Sequence, residues 1–135
     1  MPLLRLSLAG PLPQANPVPG LQAGLTRLMA QQLGKRADLT VVQVQHAESP
    51  AAWACDGKAL ADAGWAASLE VFITAGTNTA DEVATFMAQA HALICSHWAL
   101  PPAAPLYIVV HTVDGANWGY GGLSQQARRQ AGAPL

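Results

Sequence analysis

Apolar and polar positions alternate from Leu3 to Leu8 (LLRLSL), and Gly10-Pro11-Leu12-Pro13 breaks the alternation, which predicts a strand running into a loop. From Pro19 to Leu33 the spacing becomes helical, with Leu21, Leu25, Leu28, Met29 and Leu33 on one stripe. Pro19 is tolerated in a first turn and Gly34 is a stop signal. Leu39 to Gln45 (LTVVQVQ) is β-branched and lies between Asp38 and Glu48-Ser49-Pro50, so it reads as a second strand. The same order then recurs. Leu69 to Thr74 (LEVFIT) is strand-like, and Gly76 and Asn78 form a loop. Thr79-x-x-Glu82 is a capping box opening a helix that aligns Val83, Phe86, Met87, Ala90, Leu93 and Ile94. Pro101, Pro102 and Pro105 end that stretch, and Leu106 to His111 (LYIVVH) is the last strand.

The chain therefore reads as one βαβ unit written twice. His46 and His111 lie 65 positions apart, as do Trp53 and Trp118, and Leu8-Ala9-Gly10 answers Thr74-Ala75-Gly76 at 66. A similar turn follows each second strand, Ala52-Trp53-Ala54-Cys55-Asp56-Gly57 and Asn117-Trp118-Gly119-Tyr120-Gly121-Gly122. Right-handed crossovers in two such units related by a pseudo-twofold give an α+β, two-layer sandwich: a four-stranded mixed sheet with both helices on one face. The expected organisation is a single domain over 1–125, with units at about 2–60 and 66–125, and a carboxyl-terminal tail over 126–135 whose end, Ala131 to Leu135, reads as frayed with little to bury and is given no role.

Composition narrows the partners. With 7 Lys and Arg against 8 Asp and Glu the net charge is −1, which gives no electrostatic reason for nucleic acid or an anionic membrane. Only 11% of residues are charged and 51% are apolar, more apolar surface than so small a core buries, so the second face of the sheet is expected to be apolar and covered by other subunits around an axis. Cys55 and Cys95 have neither CxxC nor Cys/His ligand spacing, which points to a reducing, cytoplasmic setting and to no metal. There is no export signal and no apolar run near the roughly 18 residues of a membrane span.

The residue with the most chemical promise is Pro2. Initiator Met is normally cleaved before Pro, and the product is a secondary amine at the head of a strand. An α-amino group ordinarily titrates near pH 8, and apolar surroundings or a nearby cation lower that. A neutral amine there is matched to general acid–base work at ambient pH. Pro at position 2 is also common and without consequence in other chains. Lys35, just after the first helix, is equally explained by the helix macrodipole. Arg5, on the first strand near Pro2, is suited to bind an anion, to lower the amine pKa or, equally, to pair with Glu70, its approximate counterpart in the repeat. Tyr107, Phe72 and Trp53 have the ordinary alternative of core or interface packing. His46 and His111 end matching strands, so duplication explains both. His91 and His97, six apart, do not share a helix face as an i, i+4 metal pair would.

Met1-Pro2 leading into an apolar strand, then a helix, Gly34-Lys35, a strand and an aromatic-glycine turn resembles the tautomerase superfamily, which includes 4-oxalocrotonate tautomerase and macrophage migration inhibitory factor. The resemblance runs from Pro2 to about Leu123. The turn at Trp118-Gly119-Tyr120-Gly121-Gly122 matches better than the one at Trp53. Length and duplication resemble the longer members, trimers with three active sites at subunit interfaces. On this resemblance Pro2 is the catalytic amino-terminal proline, Lys35 holds a substrate carboxylate or carbonyl oxygen, and Tyr107 is the aromatic residue of the proline pocket. Phe72 would stand at the pocket mouth, with Trp118 and Tyr120 as aromatic wall; Trp53 and Arg5 complete the candidate substrate-binding set.

The chain also departs from the family pattern. Where short tautomerases carry arginines that bind a dicarboxylate, this chain has apolar residues around Leu12 and at Val41, and Val109 stands where the inhibitory-factor branch has asparagine. No Arg precedes Arg128 in the second half. The resemblance implies a cofactor-independent isomerase, catalysing keto–enol conversion by a 1,3-proton shift in a small 2-oxo or 2-hydroxy unsaturated acid, assembled as a homotrimer. The rivals are a non-catalytic trimeric binding or signalling protein of the same fold, and a hydratase or dehalogenase of an unsaturated acid.

Overall fold

The computed structural model describes residues 1–11, 13–47, 52–60, 65–100 and 104–132. Leu12, Glu48, Ser49, Pro50, Pro101 and Pro102 lie outside the described residues. Strand β1 (Leu3–Ala9) sends Leu4, Leu6 and Leu8 into the core and leaves Arg5 exposed, the alternation a one-sided strand requires. Helix α1 (Val18–Leu33) buries Leu21, Leu25, Leu28, Met29 and Leu33. A short 3-10 turn (Ala37–Leu39) takes up Leu39, which the β-branched pattern had assigned to the next strand, and β2 runs from Val41 to Ala47. A small hairpin, β3 (Ala54–Cys55) and β4 (Lys58–Ala59), follows.

The second unit repeats this order. Strand β5 (Ala66–Thr74) buries Ala67, Leu69, Val71 and Ile73. Helix α2 (Ala80–Trp98) opens with the expected capping box, Thr79 Oγ1 accepting from the Glu82 amide and the Glu82 carboxylate accepting from the Thr79 amide. It buries Phe86, Ala90, Ile94 and Trp98. Strand β6 (Leu106–Val113) and a second hairpin, β7 (Gly119–Tyr120) and β8 (Leu123–Ser124), lead to a third helix, α3 (Gln125–Gln130). Residues 126–130 of the expected carboxyl-terminal tail lie within this helix. Only Ala131 and Gly132 follow it as a turn, and 133–135 lie outside the described residues.

The main sheet has the order β2-β1-β5-β6, with β1 parallel to β2, β5 parallel to β6 and the two central strands antiparallel. Arg5 lies opposite Glu70, its own equivalent 65 positions on, in the β1–β5 ladder, so the pseudo-twofold passes between them. Both helices cover the face that carries Leu4, Leu6, Leu69 and Val71, and the apolar side chains there form one core. Each such fully buried aliphatic residue contributes about 1.5–3 kcal/mol through removal from water.

The repeat is not uniform in register. Leu4 and Leu69, Leu21 and Phe86, Leu25 and Ala90, Met29 and Ile94, Leu33 and Trp98 are equivalent pairs in the core, all 65 apart. β2 and β6 are shifted by one more: Leu3 pairs with Val41, whereas Ser68 pairs with Tyr107, so Val41 corresponds to Tyr107 at 66. His46 and His111 are therefore not equivalents. His46 lies on the helix side, its ring 5.3 Å from that of Trp98 and its Nε2 2.7 Å from the Gly10 carbonyl. His111 lies on the open side, stacked on Phe72 at 4.5 Å with Nε2 3.2 Å from the Glu70 carboxylate. A one-residue slip moves a strand residue to the opposite face, which is why two identical letters at a constant spacing misled the alignment.

The open face of the sheet is mixed. Val41, Val109 and Tyr107 are exposed there, and Tyr107 is 66% accessible, but Arg5, Gln43 and Glu70 interrupt the apolar surface expected from composition. Among the described residues no helix is long and apolar enough to cross a membrane.

Candidate active site

Pro2 sits just before β1, where its carbonyl accepts from the Val41 amide at 3.1 Å and ties the start of the chain to the neighbouring strand. In the full chain its nitrogen is the amide of the Met1–Pro2 bond. Two clefts meet at this point. One is narrow and joins Met1 and Pro2 to Lys35, Thr74, Thr77 and Trp118. The other, of about 150 Å³, is walled by Pro2, Leu3, Val41, Trp118 and Tyr120.

Lys35 reaches this site because of how α1 ends. Gly34 adopts a left-handed conformation at φ 67°, and the Lys35 amide donates back to the Met29 carbonyl at 3.1 Å, closing the helix and turning the next side chain toward the sheet. Its ammonium donates to Thr77 Oγ1 at 2.9 Å, and that hydroxyl donates to the Thr74 carbonyl. Asn78 Nδ2 donates to the Leu33 carbonyl, fixing the helix end to the turn after β5. The Lys35 amine is held below its ordinary pKa, chiefly by burial, with Arg129 acting in the same direction and Glu82 opposing.

The second hairpin supplies the aromatic wall. Trp118 Nε1 donates to Thr74 Oγ1 at 3.3 Å, and the Arg128 guanidinium lies 3.7 Å above the Tyr120 ring while its Nη2 donates to the Tyr120 carbonyl. Gly119 is required here: a Cβ would fall 1.9 Å from the Leu123 carbonyl oxygen. Helix α3 then closes the site from the side. Gln125 is buried to 1% accessibility, its Oε1 accepting from the Met1 amino group at 3.3 Å and its Nε2 donating to the Met1 carbonyl at 3.2 Å. Burial, then Arg128, then Lys35 lower the pKa of the Met1 amine. A hollow of about 230 Å³ on the other side of Thr74 is lined by Asp114, Gln125 and Arg129.

Of the residues singled out from sequence, Pro2, Lys35, Trp118 and Tyr120 come together. Arg5 does not join them and does not pair with Glu70; its guanidinium lies 5.6 Å from the Phe72 ring on the open face. Phe72 faces that same side, stacked on His111, and lines neither cleft at Pro2. Tyr107 lies two strands from β1 and at the far end of the ladder, since its partner Ser68 pairs with Ser7. It cannot serve Pro2 of its own chain. Trp53 is half-buried at the base of the first hairpin, its carbonyl accepting from Leu60. Sequence reasoning missed Thr74, Thr77, Gln125, Arg128 and Arg129. The signal for the last three was present, since Ser124 caps α3 through a bond from the Ala127 amide and QQARRQ is rich in helix formers. Among the described residues no cluster of three or more His, Cys, Asp or Glu is placed to hold a metal ion.

No protein-family model matches the chain, and no curated protein matches it by sequence. Solved structures match over most of its length. A fused 4-OT, solved as a wild-type symmetric trimer, superposes with a TM-score of 0.79 at 17% identity, covering 93% of this chain and 97% of that one. Pt0534, solved after inactivation by 2-oxo-3-pentynoate, gives 0.79 at 16% identity with the same coverage. Macrophage migration inhibitory factor from Toxoplasma gondii gives 0.66 at 16% identity, over 89% of this chain and 98% of its own. The chain thus has the fold of the tautomerase superfamily, in the longer form that joins two βαβ units.

Proposed function

We propose that the protein is a cofactor-independent tautomerase, an isomerase in which Pro2, freed as the terminal residue by loss of Met1, is the general base. The observation that carries this reading is the meeting of Pro2 and Lys35 in one cleft beneath Trp118. The Met1 amine is already held below its ordinary pKa there by burial, Arg128 and Lys35, and a Pro2 amine inherits much of the same surroundings. In the reaction the neutral Pro2 nitrogen takes a proton from a carbon beside the carbonyl. The C–H electrons form a new C=C bond and the carbonyl π electrons move onto oxygen, where Lys35 holds the developing oxyanion by a charge-assisted hydrogen bond. The proton then goes to that oxygen to give the enol, or in a conjugated acid to another carbon, so nothing is oxidised or reduced. Trp118 and Tyr120 exclude water and favour the neutral amine.

The substrate class is a small 2-oxo or 2-hydroxy unsaturated acid. The assembly is a homotrimer, as the fused 4-OT structure was solved, and it covers the exposed Tyr107 and Val109. In that assembly the proton-returning role falls to Pro2 itself or to Tyr107 of a neighbouring subunit. The free Cys55 and Cys95 fit a cytoplasmic setting.

The test is turnover of phenylenolpyruvate and a 2-hydroxydienoate by wild type and Pro2→Ala, with loss of Met1 checked by intact mass. Loss of the general base lowers kcat roughly 10²- to 10⁴-fold; activity indifferent to the substitution overturns the assignment. Chloride or bromide release from halogenated acrylates separates the dehalogenase alternative. A second reading, a non-catalytic binding protein, draws support from the two hydrogen bonds that seat Met1 on Gln125. Purified protein that retains Met1 favours it.

A further inference from the structure

Gln125 is the one buried polar residue among the described core positions, and both polar atoms of its side chain are spent on the backbone of Met1. The reading of Pro2 as a terminal amine requires Met1 to leave. Excision then removes an acceptor and a donor together, and the Gln125 amide, which borders the neighbouring hollow and touches the Pro2 clefts only through Met1, is left with neither partner. Folded proteins avoid an unsatisfied buried amide, so a water or a ligand oxygen must take up those bonds. The placement is close: two covalent bonds separate the Met1 carbonyl oxygen from the Pro2 nitrogen, so Gln125 Nε2 lies within about 6 Å of that nitrogen.

That position suits one kind of atom. A substrate carbon giving its proton to Pro2 approaches within about 3–3.5 Å of the nitrogen. Its carbonyl or enol oxygen, one carbon further on, falls in the shell that the carbonyl oxygen and amino nitrogen of Met1 fill. We infer that Gln125 is a substrate-binding residue of the Pro2 site, its amide donating to the oxygen of a 2-oxo acid and accepting from the hydroxyl of the enol form, while Met1 in the unprocessed chain occupies the substrate's place. The inference rests on the tautomerase reading and adds to it a neutral two-way contact. An amide that both donates and accepts binds the ketone and the enol alike, which suits an enzyme that interconverts them. Its backbone is anchored for the task, with the Gln125 amide donating to the Trp118 carbonyl at 2.9 Å and the Gln126 amide to the Gly115 carbonyl at 2.9 Å.

The experiment uses full-length wild type, Gln125→Met and Gln125→Glu, each with Met1 loss checked by intact mass. Steady-state turnover of phenylenolpyruvate is measured against pH, and covalent labelling of Pro2 by 2-oxo-3-pentynoate is followed by mass. Gln125→Met keeps the length and loses both bonds. It is expected to lower kcat/KM roughly 10- to 100-fold and to slow labelling, with the acidic limb of the pH profile unmoved. Gln125→Glu brings a carboxylate to the amine, favours its protonated form and moves the acidic limb upward by about one unit. A merely structural Gln125 lowers the melting temperature but moves neither kcat/KM per folded molecule nor the limb. A processed Gln125→Met enzyme with kcat/KM within twofold of wild type overturns the inference; should that variant fail to fold, an unmoved limb in Gln125→Glu overturns it instead. Wild type labelled at Pro2 but matched by Gln125→Met sinks Gln125 alone. Wild type neither labelled nor active sinks the Pro2 reading, and Gln125 with it.

Discussion

The two βαβ units share a backbone and differ where chemistry is needed. In the first unit the residue ahead of the central strand is Pro2, next to a chain end; its counterpart 65 positions on is Ala67, fully buried, its amide donating to the Pro105 carbonyl. Both helices end in a left-handed residue, Gly34 at φ 67° and Ala99 at φ 56°. After it the first unit places half-buried Lys35 in the Pro2 cleft, and the second places Leu100 in the core. The hairpins differ too. The first is exposed throughout its strands, while the second carries Trp118 and Tyr120 to Pro2 and continues into α3. The repeated scaffold is thus near-symmetric in backbone, while Lys35, Trp118 and Tyr120 gather at Pro2 and the equivalent places at Ala67 and Leu100 belong to the core.

The largest expected effect comes from the stabilising half. Trp98 corresponds to Leu33 and fills the space beneath His46 and Trp65, with ring centroids 5.3 and 5.8 Å away. Trp98→Ala is expected to cost about 3–5 kcal/mol, the removed surface plus an unfilled cavity, read as the shift in a urea unfolding midpoint. Trp98→Leu, which writes the first unit's residue into the second, should cost less, because part of the cavity remains filled and the indole N–H, which has no partner there, is removed. Equal losses in both variants would mean that the indole itself, and not its volume, is what the core requires.

Next in size is the reverse exchange at Lys35. Lys35→Leu copies Leu100 into the first unit and removes the ammonium proposed to hold the oxyanion, so kcat/KM should fall roughly 10- to 100-fold. Stability should move the other way. Because burial holds the Lys35 pKa below its ordinary value, the unfolded chain binds the proton more readily, and the charge opposes folding at neutral pH. Lys35→Leu should therefore melt higher than wild type at pH 7. The gap should narrow as pH rises through the lowered pKa toward about 10.4, where the folded Lys35 is already neutral and the unfolded one still charged. A variant that melts lower at pH 7 would show that the bond to Thr77 outweighs the burial of the charge.

Much of this asymmetry is legible in the letters. Strands and helices announce themselves through periods of 2 and 3.6, and Pro2, Lys35, Trp118 and Tyr120 are found by order along the chain. What the letters hide has two physical sources. Faces depend on register: six residues separate Leu100 from Tyr107 where five separate Lys35 from Val41, the equivalent of Tyr107, and that extra residue puts His111 on the side opposite His46 and turns Tyr107 outward. Polar anchoring has no period at all. The buried Gln125 amide bonds Met1, 124 residues earlier, and α3 is too short to show an apolar stripe.

The smallest effect tests whether the second unit's helix end is only a relic of the first. Ala99 holds a left-handed conformation that Gly34 adopts without strain, since the Ala99 Cβ crowds its own backbone there. Ala99→Gly removes that crowding and adds conformational freedom to the unfolded chain, and these oppose one another. With φ at 56° and the cap bond from the Ala99 amide to the Cys95 carbonyl unaffected, relief of strain should prevail. The expected gain is up to about 1 kcal/mol, measured by the urea midpoint at unchanged slope. The mirror substitution, Gly34→Ala, should lose a similar amount. It should also reduce turnover, because the first unit's helix end aims Lys35 at Pro2 while the second unit's aims only a leucine into the core.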